Sequence, residues 1–460
     1  MRWGGAWGRG VVVVACLFFG ACAPRQDGGY VKLAIKLPTQ TYQLDNGLAV
    51  LLHADHKVPY VHVLVRYNVG NKDDPPGRAG LAHLYEHLMF AAAKHLPPDE
   101  YLGTLDRSGA TDFNGVTSRD TTTYFETVPT ASLEIALFLE AERMGFAPAA
   151  VTTAQFDRER HIVREEYRQQ TLDRPYGLVH WFATQALYPT DHPYFPGTQE
   201  EANAVDAITE AEVREFGATY YVPNDATLAL AGDFDEEKIR PLIAKYFAGI
   251  PGGAKAPSVR HIVRPTSPRI HEVHAVANVD DERVVLAWAM PAYDDDGYRE
   301  HVVAASLLGG YTGGRLRKKD DPLSKTGASY GVEPGALSSE FVIVMTAGPG
   351  SLDDLVGAFE GTQRHLRDAD RLDSWGDEKS QILVNELFRI ESLDSRAEML
   401  LDYERRMGMV DGAMTDMLAY QGIELGRVQR AMSETFSLSQ AAIVYVRKDP
   451  KAPVSGKVVP

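Results

Sequence analysis

The chain has 460 residues, 44% hydrophobic and 24% charged, which suits two compact units with a core each and the composition of a soluble globular protein. Its 47 basic and 63 acidic side chains give a formal charge of −16, which argues against a nucleic-acid partner, because that partner needs basic patches. The acidity reads first as solubility and second as steering of cationic peptides toward an acidic cavity.

Residues 1–22 read as an export signal. "MRWGGAWGRG" carries two arginines ahead of the apolar run "VVVVACLFFGA", which has signal-core length and is too short to span a bilayer. Two exits follow. "FGAC" resembles a lipobox, so that lipidation of Cys22 would anchor the chain; alternatively Ala21-Cys22-Ala23 is an ordinary A-x-A cleavage site. Either way the expectation is an exported, periplasmic protein, touching the outer membrane only through a lipid on Cys22. Cys16, the other of the two cysteines, lies inside the signal, which excludes a disulfide and a cysteine-type zinc site in the mature chain.

Residues 23–36 read as a tether and 37–250 as a first unit. "YQLDNGLAVLLHAD" predicts a hairpin turning at Asn46-Gly47. "VHVLVRYNV" alternates, so Val61, Val63, Val65, Tyr67 and Val69 share one face of a strand. The polar loop "NKDDPPGRAG" leads into a helix over about 81–93. A short helix near 99–106, a strand region "TDFNGVTSRDTTTYFETV", a helix in "ASLEIALFLEAERMG" and another over 153–170 capped by Thr152 or Thr153 come next. A helix near 210–220 and the strand "NDATLALAGD" close the unit.

"IPGGAKAPSVRH" marks a linker, placed at 251–263, and 264–455 reads as a second copy of the first unit. "EVREFGATYYVPNDATLALAG" aligns without gaps on "RVQRAMSETFSLSQAAIVYVR", with Leu228 falling on Ile443. The second copy opens with the strand "RVVLAWAMP" and the helix "DGYREHVVAASLLGG", and "GGYTGG" reads as a turn after that helix, since it lacks the ending of a phosphate loop.

The chemistry concentrates in "AHLYEHLMF". His83 and His87, four apart, lie on one helical face and can share one metal ion as neutral imidazoles. Glu86 sits beside them, able to reach a water at the ion without ligating it, as a metal hydrolase requires. The competing reading is a plain helix with two satisfied histidines. Leu84, Leu88, Met89 and Phe90 imply burial, and a buried turn holding two histidines and a glutamate needs a partner. Zinc also wants a third protein ligand and one open position. In "FDRERHIVREEYRQQ", Glu159 and Glu166 are two turns apart on one face, separated by about 10 Å of rise, so one ligates while the other orients a ligand; Glu165 points about 100° away, toward solvent.

These residues resemble the pitrilysin/insulinase family of inverted (HxxEH) zinc metallopeptidases, in its bacterial exported, processing-peptidase-like branch. The likeness rests on "HLYEH" and "ERHIVREE", and extends through "LDNGLAVLL", "SRDTTTYFETVP", "DHPYFPGTQE", "YYVPNDATLALAGDF" and "LLGGYTGGRL" over nearly the whole mature chain. The resemblance implies an α+β fold of two related halves, each a mixed or antiparallel sheet covered by helices, forming a clamp of the LuxS/insulinase-like type. It implies one zinc ion per chain on His83, His87 and Glu166, with Glu159 as the supporting carboxylate and Glu86 as the base. Relatives add substrate as a strand beside an Asn-Ala-x-Thr edge, which here reads Asn114, Gly115, Val116, Thr117, with Gly115 in place of the usual alanine. The family also places an arginine and a tyrosine, seven apart, to stabilise the tetrahedral intermediate. Here Tyr330 is present, Leu323 stands at the arginine position, and Lys325, Arg315 and Arg317 are the nearby cations.

The expected function is therefore an exported zinc metalloendopeptidase acting on peptides or unfolded polypeptides. Glu86 takes a proton from the attacking water and passes it to the leaving amine. A homo- or heterodimer is expected, in which a partner subunit could supply the missing arginine. The alternative is a non-catalytic or partner-dependent subunit of a heterodimeric peptidase. A purely structural metal is disfavoured by Glu86, since such a site has no use for a base.

Overall fold

In the computed structural model the described residues are 37–97, 99–197, 201–254, 262–316, 327–347, 352–372, 375–408 and 412–459. The signal, Cys22, the tether, most of the linker, Arg317, Leu323, Lys325 and the Arg315 side chain lie outside them.

The first half runs β1 (Gln40–Gln43), β2 (Ala49–Ala54), β3 (Tyr60–Tyr67), α1 (Leu81–Ala91), α2 (Glu100–Arg107), β4 (Thr111–Thr117), β5 (Thr122–Pro129), α3 (Leu133–Ala150), α4 (Thr153–Tyr167), α5 (Val179–Leu187), α6 (Glu210–Tyr220), β6 (Ala226–Gly232) and α7 (Glu236–Phe247). The second runs β7 (Glu272–Ala277), β8 (Glu282–Met290), α8 (Tyr298–Leu316), β9 (Gly327–Glu333), β10 (Ser339–Ala347), α9 (Leu352–Asp368), α10 (Trp375–Phe388), α11 (Leu393–Met407), α12 (Gly412–Gly422), α13 (Leu425–Thr435), β11 (Ala442–Lys448) and β12 (Lys457–Val458).

Each half holds a six-stranded mixed sheet, ordered β1-β2-β6-β3-β5-β4 and β12-β7-β11-β8-β10-β9. The correspondence is strand for strand. β2 pairs parallel with β6, as β7 does with β11, and the other pairs are antiparallel. Only the outermost strand differs in origin: β1 precedes its half and β12 follows its own. Helices α6 and α13 begin and end at matched positions of the gapless alignment, Glu210 with Leu425 and Tyr220 with Thr435.

The alternation in β3 sends Val61, Val63, Val65 and Tyr67 into the core beneath α1 and α3. Its opposite face is buried too, because α11 of the second half lies across it: Leu400 and Leu401 pack on Leu51, Leu64 and Ala229. The exchange is reciprocal. α5 of the first half sets Val179, Phe182 and Ala186 against Val273, Val285, Ala287 and Val444 of the second sheet. Sequence pattern assigns no element to α5, although its apolar residues recur at helical spacing. With each sheet covered by its neighbour's helix, Lys36–Pro460 forms one compact unit.

One stretch departs from expectation. "GGYTGG" is not a turn: α8 runs through it to Leu316. The glycines remain helical because tertiary packing uses their lack of a side chain. A Cβ on Gly309 would lie 2.1 Å from the Tyr330 ring, so β9 can approach α8 only over glycine.

Candidate metal centre

The helix that carries the motif is fixed at both ends. Its N-cap, Gly80, has no side chain to satisfy the first amides. Asp74 does so from the preceding loop, accepting from the Gly80 and Ala82 N–H groups at 2.8 Å each. Burial pushes the Asp74 carboxyl up to about 7 despite these two bonds. On the buried side of α1, Tyr85 stacks on Tyr221 at 3.9 Å between ring centroids. At its C-terminal end the Ala91 carbonyl accepts from Gln155 Nε2 at 2.6 Å.

Gln155 belongs to α4, whose start is a capping box. Thr152 Oγ1 accepts from the Gln155 N–H at 3.3 Å, and Gln155 Oε1 accepts from the Thr152 N–H at 3.0 Å. One side chain therefore closes the end of α4 and ties it to α1. Phe156, Glu159 and Val163 then form the buried side of α4.

This pairing of helices brings the four predicted residues together. His83 and His87 lie one turn apart with their rings edge to face, 4.9 Å between centroids. Glu166 Oε2 lies 3.6 Å from His83 Nε2 and 3.4 Å from His87 Nε2. Glu159 Oε2 approaches the other side of His87, 3.6 Å from Nδ1, an ionic contact at that distance rather than a hydrogen bond. Glu159 is held in turn by Arg158 Nε, which donates to Oε1 at 3.0 Å, while Arg158 Nη2 donates to Asp99 at 2.8 Å.

Ligand atoms about 2.0–2.1 Å from a tetrahedral zinc ion lie roughly 3.3–3.4 Å from one another. The Nε2–Oε2 separations of 3.6 and 3.4 Å match that spacing, so the two imidazoles and the Glu166 carboxylate fit a zinc ion. Burial, then the neighbouring His87, lowers His83 to about 4, leaving it neutral and able to ligate. For His87, burial acts downward but is outweighed by Glu159, Glu166 and Glu86, so its pKa is raised.

Glu86 is 6% exposed, and burial raises its carboxyl against the opposing effect of Thr117. Thr117 Oγ1 donates to Glu86 Oε2 at 2.6 Å. Sequence reasoning does not find this bond, since 31 residues separate the partners, nor the support from Asp74 and Gln155. Gly115, two positions before Thr117, lies against the same carboxylate: a Cβ there would sit 2.9 Å from Glu86 Cγ, Glu86 Oε1 and Phe90 Cε2. With these neighbours in place an alanine, the residue the resemblance implies, would require one of them to shift. Strand β4, with Asn114, Gly115, Val116 and Thr117, is the edge of the first sheet.

The cluster opens into a cavity of about 1980 Å³. His83, Glu86, His87, Glu166 and β4 form one wall, and Arg269 and Glu333 contribute from the second half. Tyr330 is not among its lining residues. Sheet register gives its counterpart in the first half. Leu228 pairs with Val65, Val65 with Tyr124 and Tyr124 with Gly115. Ile443 pairs with Leu286, Leu286 with Ile343 and Ile343 with Tyr330. Tyr330 is thus the repeat counterpart of Gly115; its ring lies over Gly309 of α8, and the residue is 45% exposed. Among the described residues a second cluster, His180, Glu333 and Glu340, has metal-ligand spacing. Arg119 already occupies it as counter-ion, 2.5 Å from Glu340 and 3.2 Å from Glu333.

Comparison with known proteins bears on this geometry. The family described as Insulinase (Peptidase family M16) matches residues 49–180, and the Peptidase M16 inactive domain matches 207–375. The zinc protease PqqE of Helicobacter pylori is 30% identical over 260 residues, 55% of this chain and 57% of that one. The probable zinc protease PqqL of Escherichia coli is 26% identical over 257 residues, 53% of this chain and 26% of that one. The matched region thus spans about half of the first relative and a quarter of the second. In fold, a protease from Helicobacter pylori aligns over 89% of this chain and 99% of its own, with a TM-score of 0.79 and 23% identity. The periplasmic protease PqqL from Escherichia coli aligns over 91% and 48%, with a TM-score of 0.73 and 18% identity. Among the described residues no helix is long and apolar enough to cross a membrane.

Proposed function

Because the chain belongs to the pitrilysin/insulinase family of peptidases, we propose that it is a zinc-dependent endopeptidase acting on peptides or unfolded polypeptides. The observation that carries the reading is the convergence of His83 Nε2 and His87 Nε2 on one Glu166 oxygen, with the Glu86 carboxylate alongside.

His83, His87 and Glu166 would hold one zinc ion, and Glu159 keeps the His87 ring oriented through Nδ1. When bound, zinc supplies Lewis acidity, which polarises a peptide carbonyl and acidifies water. The remaining steps belong to the chain. The β4 edge receives the substrate backbone as an added strand. Glu86 accepts the proton of the attacking water and delivers it to the leaving amine. A cavity of about 1980 Å³ suits a stretch of extended chain better than a folded protein. Export, with Cys22 as a lipid attachment point, belongs to the same proposal and rests on residues 1–22.

A second reading draws on Tyr330. With its ring on Gly309 and Leu323 at the arginine position, the chain would depend on a partner subunit to complete the stabilisation of the oxyanion.

The test is cleavage of a quenched peptide by the purified chain, with and without chelator, beside Glu86→Gln. Activity is expected to vanish with chelator and to fall at least about 100-fold in Glu86→Gln with zinc retained. Activity surviving either treatment refutes the mechanism; activity that appears only with a second subunit selects the partner-dependent reading.

A further inference from the structure

The feature of the site that neither the motif nor the ligand set explains is how Glu86 is aimed. A glutamate has three rotatable bonds, and a carboxylate that acts as a base must present one oxygen to the water in a narrow range of directions. In this chain β4 provides that constraint.

Thr117 Oγ1 lies 2.6 Å from Glu86 Oε2, a short, charge-assisted distance. The next group near this hydroxyl, Thr122 Oγ1, is 3.4 Å away and already engaged: it donates to the Val69 carbonyl at 3.0 Å, and Tyr221 OH lies 3.0 Å from it. Among the described residues Oε2 is therefore the nearest acceptor for the Thr117 hydroxyl, and the Thr117 backbone N–H adds a second bond to the same carboxylate, which leaves the hydroxyl to decide its rotation. The other oxygen, Oε1, lies over Gly115, where a Cβ would be 2.9 Å away. Residues 115 and 117 share a face of β4: Thr117 holds Oε2, and Gly115, lacking a side chain, leaves room for Oε1. In the second half the matching strand position carries Tyr330, whose ring lies over Gly309 of α8.

We propose that Thr117 is the positioning residue of the base: its hydroxyl fixes Glu86 through Oε2, so that Oε1 faces the reacting water, and Gly115 keeps that direction open. The proposal rests on the reading of Glu86 as the base. It gives β4 a second task, because the strand that takes the substrate backbone also sets the register between that backbone and the base.

Thr117→Val removes the donor and keeps the shape and strand preference; Thr117→Ser keeps the donor. The zinc-loaded full chain is compared by kcat and KM on a quenched peptide, by zinc content, and by crystal structures of both variants. Thr117→Val is expected to lower kcat about 10- to 100-fold with KM within about two-fold and zinc content unchanged, and Thr117→Ser to stay within about three-fold of the parent. In the Thr117→Val crystal structure the Glu86 carboxylate is expected to rotate. Three outcomes overturn the proposal: kcat of Thr117→Val within about two-fold of the parent, a loss carried by KM, or Thr117→Ser as impaired as Thr117→Val. An unmoved Glu86 in Thr117→Val also overturns it, whatever the activity. Activity retained by Glu86→Gln defeats the reading of the base instead, and is told apart by that variant.

Discussion

His87 stands between two carboxylates that do different work. Its Nε2 faces Glu166 at 3.4 Å and its Nδ1 faces Glu159 at 3.6 Å. A ring so placed has its tautomer decided by Glu159, which attracts the proton to Nδ1 and leaves Nε2 free for a cation. Arg158 holds Glu159 in turn, and because Asp99 and Arg158 are both largely exposed, their own pair adds little stability. Its value is in orientation. Glu159→Gln is therefore expected to weaken zinc affinity about 10- to 100-fold with little change in thermal stability of the metal-free protein. Competition against a chromophoric chelator measures this, and an affinity equal to the parent's would remove Glu159 from the site. The ligand pair itself was legible because positions four apart on a helix must share a face. Glu159 and Glu166 were legible by the same local rule. Choosing between them needed either the resemblance or the coordinates, since the period places both on one side. Thr117 was not legible in this role, as no periodicity links residues 86 and 117.

At the scale of elements, the site is the contact of α1 with α4, and Gln155 sets it. That one side chain accepts from the Thr152 amide at the α4 cap and donates to the Ala91 carbonyl at the end of α1. In sequence the cap is legible only as Thr152 or Thr153, and the structure places it at Thr152 with Gln155 as its partner. The second bond of Gln155, across 64 residues, is not legible. Gln155→Leu keeps the volume and removes these bonds together with the one that Oε1 accepts from Thr152 Oγ1, leaving a buried carbonyl without a partner, at a cost of about 1–3 kcal/mol. It is also expected to reduce the rise in melting temperature that zinc confers, because the two ligand helices lose their fixed spacing. Equal zinc-induced shifts in Gln155→Leu and parent would show that the helices are aligned by their apolar faces alone. The elements that sequence pattern misplaced share one cause. "GGYTGG" carries helix-breaking composition, yet α8 continues through it because Tyr330 needs the vacant face of Gly309. α5 has an apolar stripe with no visible partner in its own half, because the partner is the other sheet.

The whole molecule is held by that exchange. Neither sheet is covered on both faces by its own half, so the halves share cores rather than meeting at a surface. The hidden face of β3 is where acid acts on this arrangement. His62 is 1% exposed there, its Nδ1 3.0 Å from Thr127 Oγ1, in the layer between the first sheet and α11. Burial lowers its pKa to about 4, outweighing the opposite pull of Asp394 on α11 and Asp112 on β4. The unfolded chain has a histidine near 6.5 and so takes up a proton that the folded one refuses. His62 thus contributes its full stability above pH 6.5, loses it progressively as pH falls toward 4, and changes nothing further below. Between pH 7 and 5 the loss from this one residue is about 2 kcal/mol. His62→Asn, which does not titrate, is expected to be less stable than the parent at pH 7 and to lose correspondingly less on going to pH 5, as read by calorimetric melting. Because α11 belongs to the second half and covers the first, the acid-induced loss should lower one shared transition. Two separated transitions, or the same acid loss in His62→Asn as in the parent, would show that the halves unfold independently or that the acid response lies elsewhere.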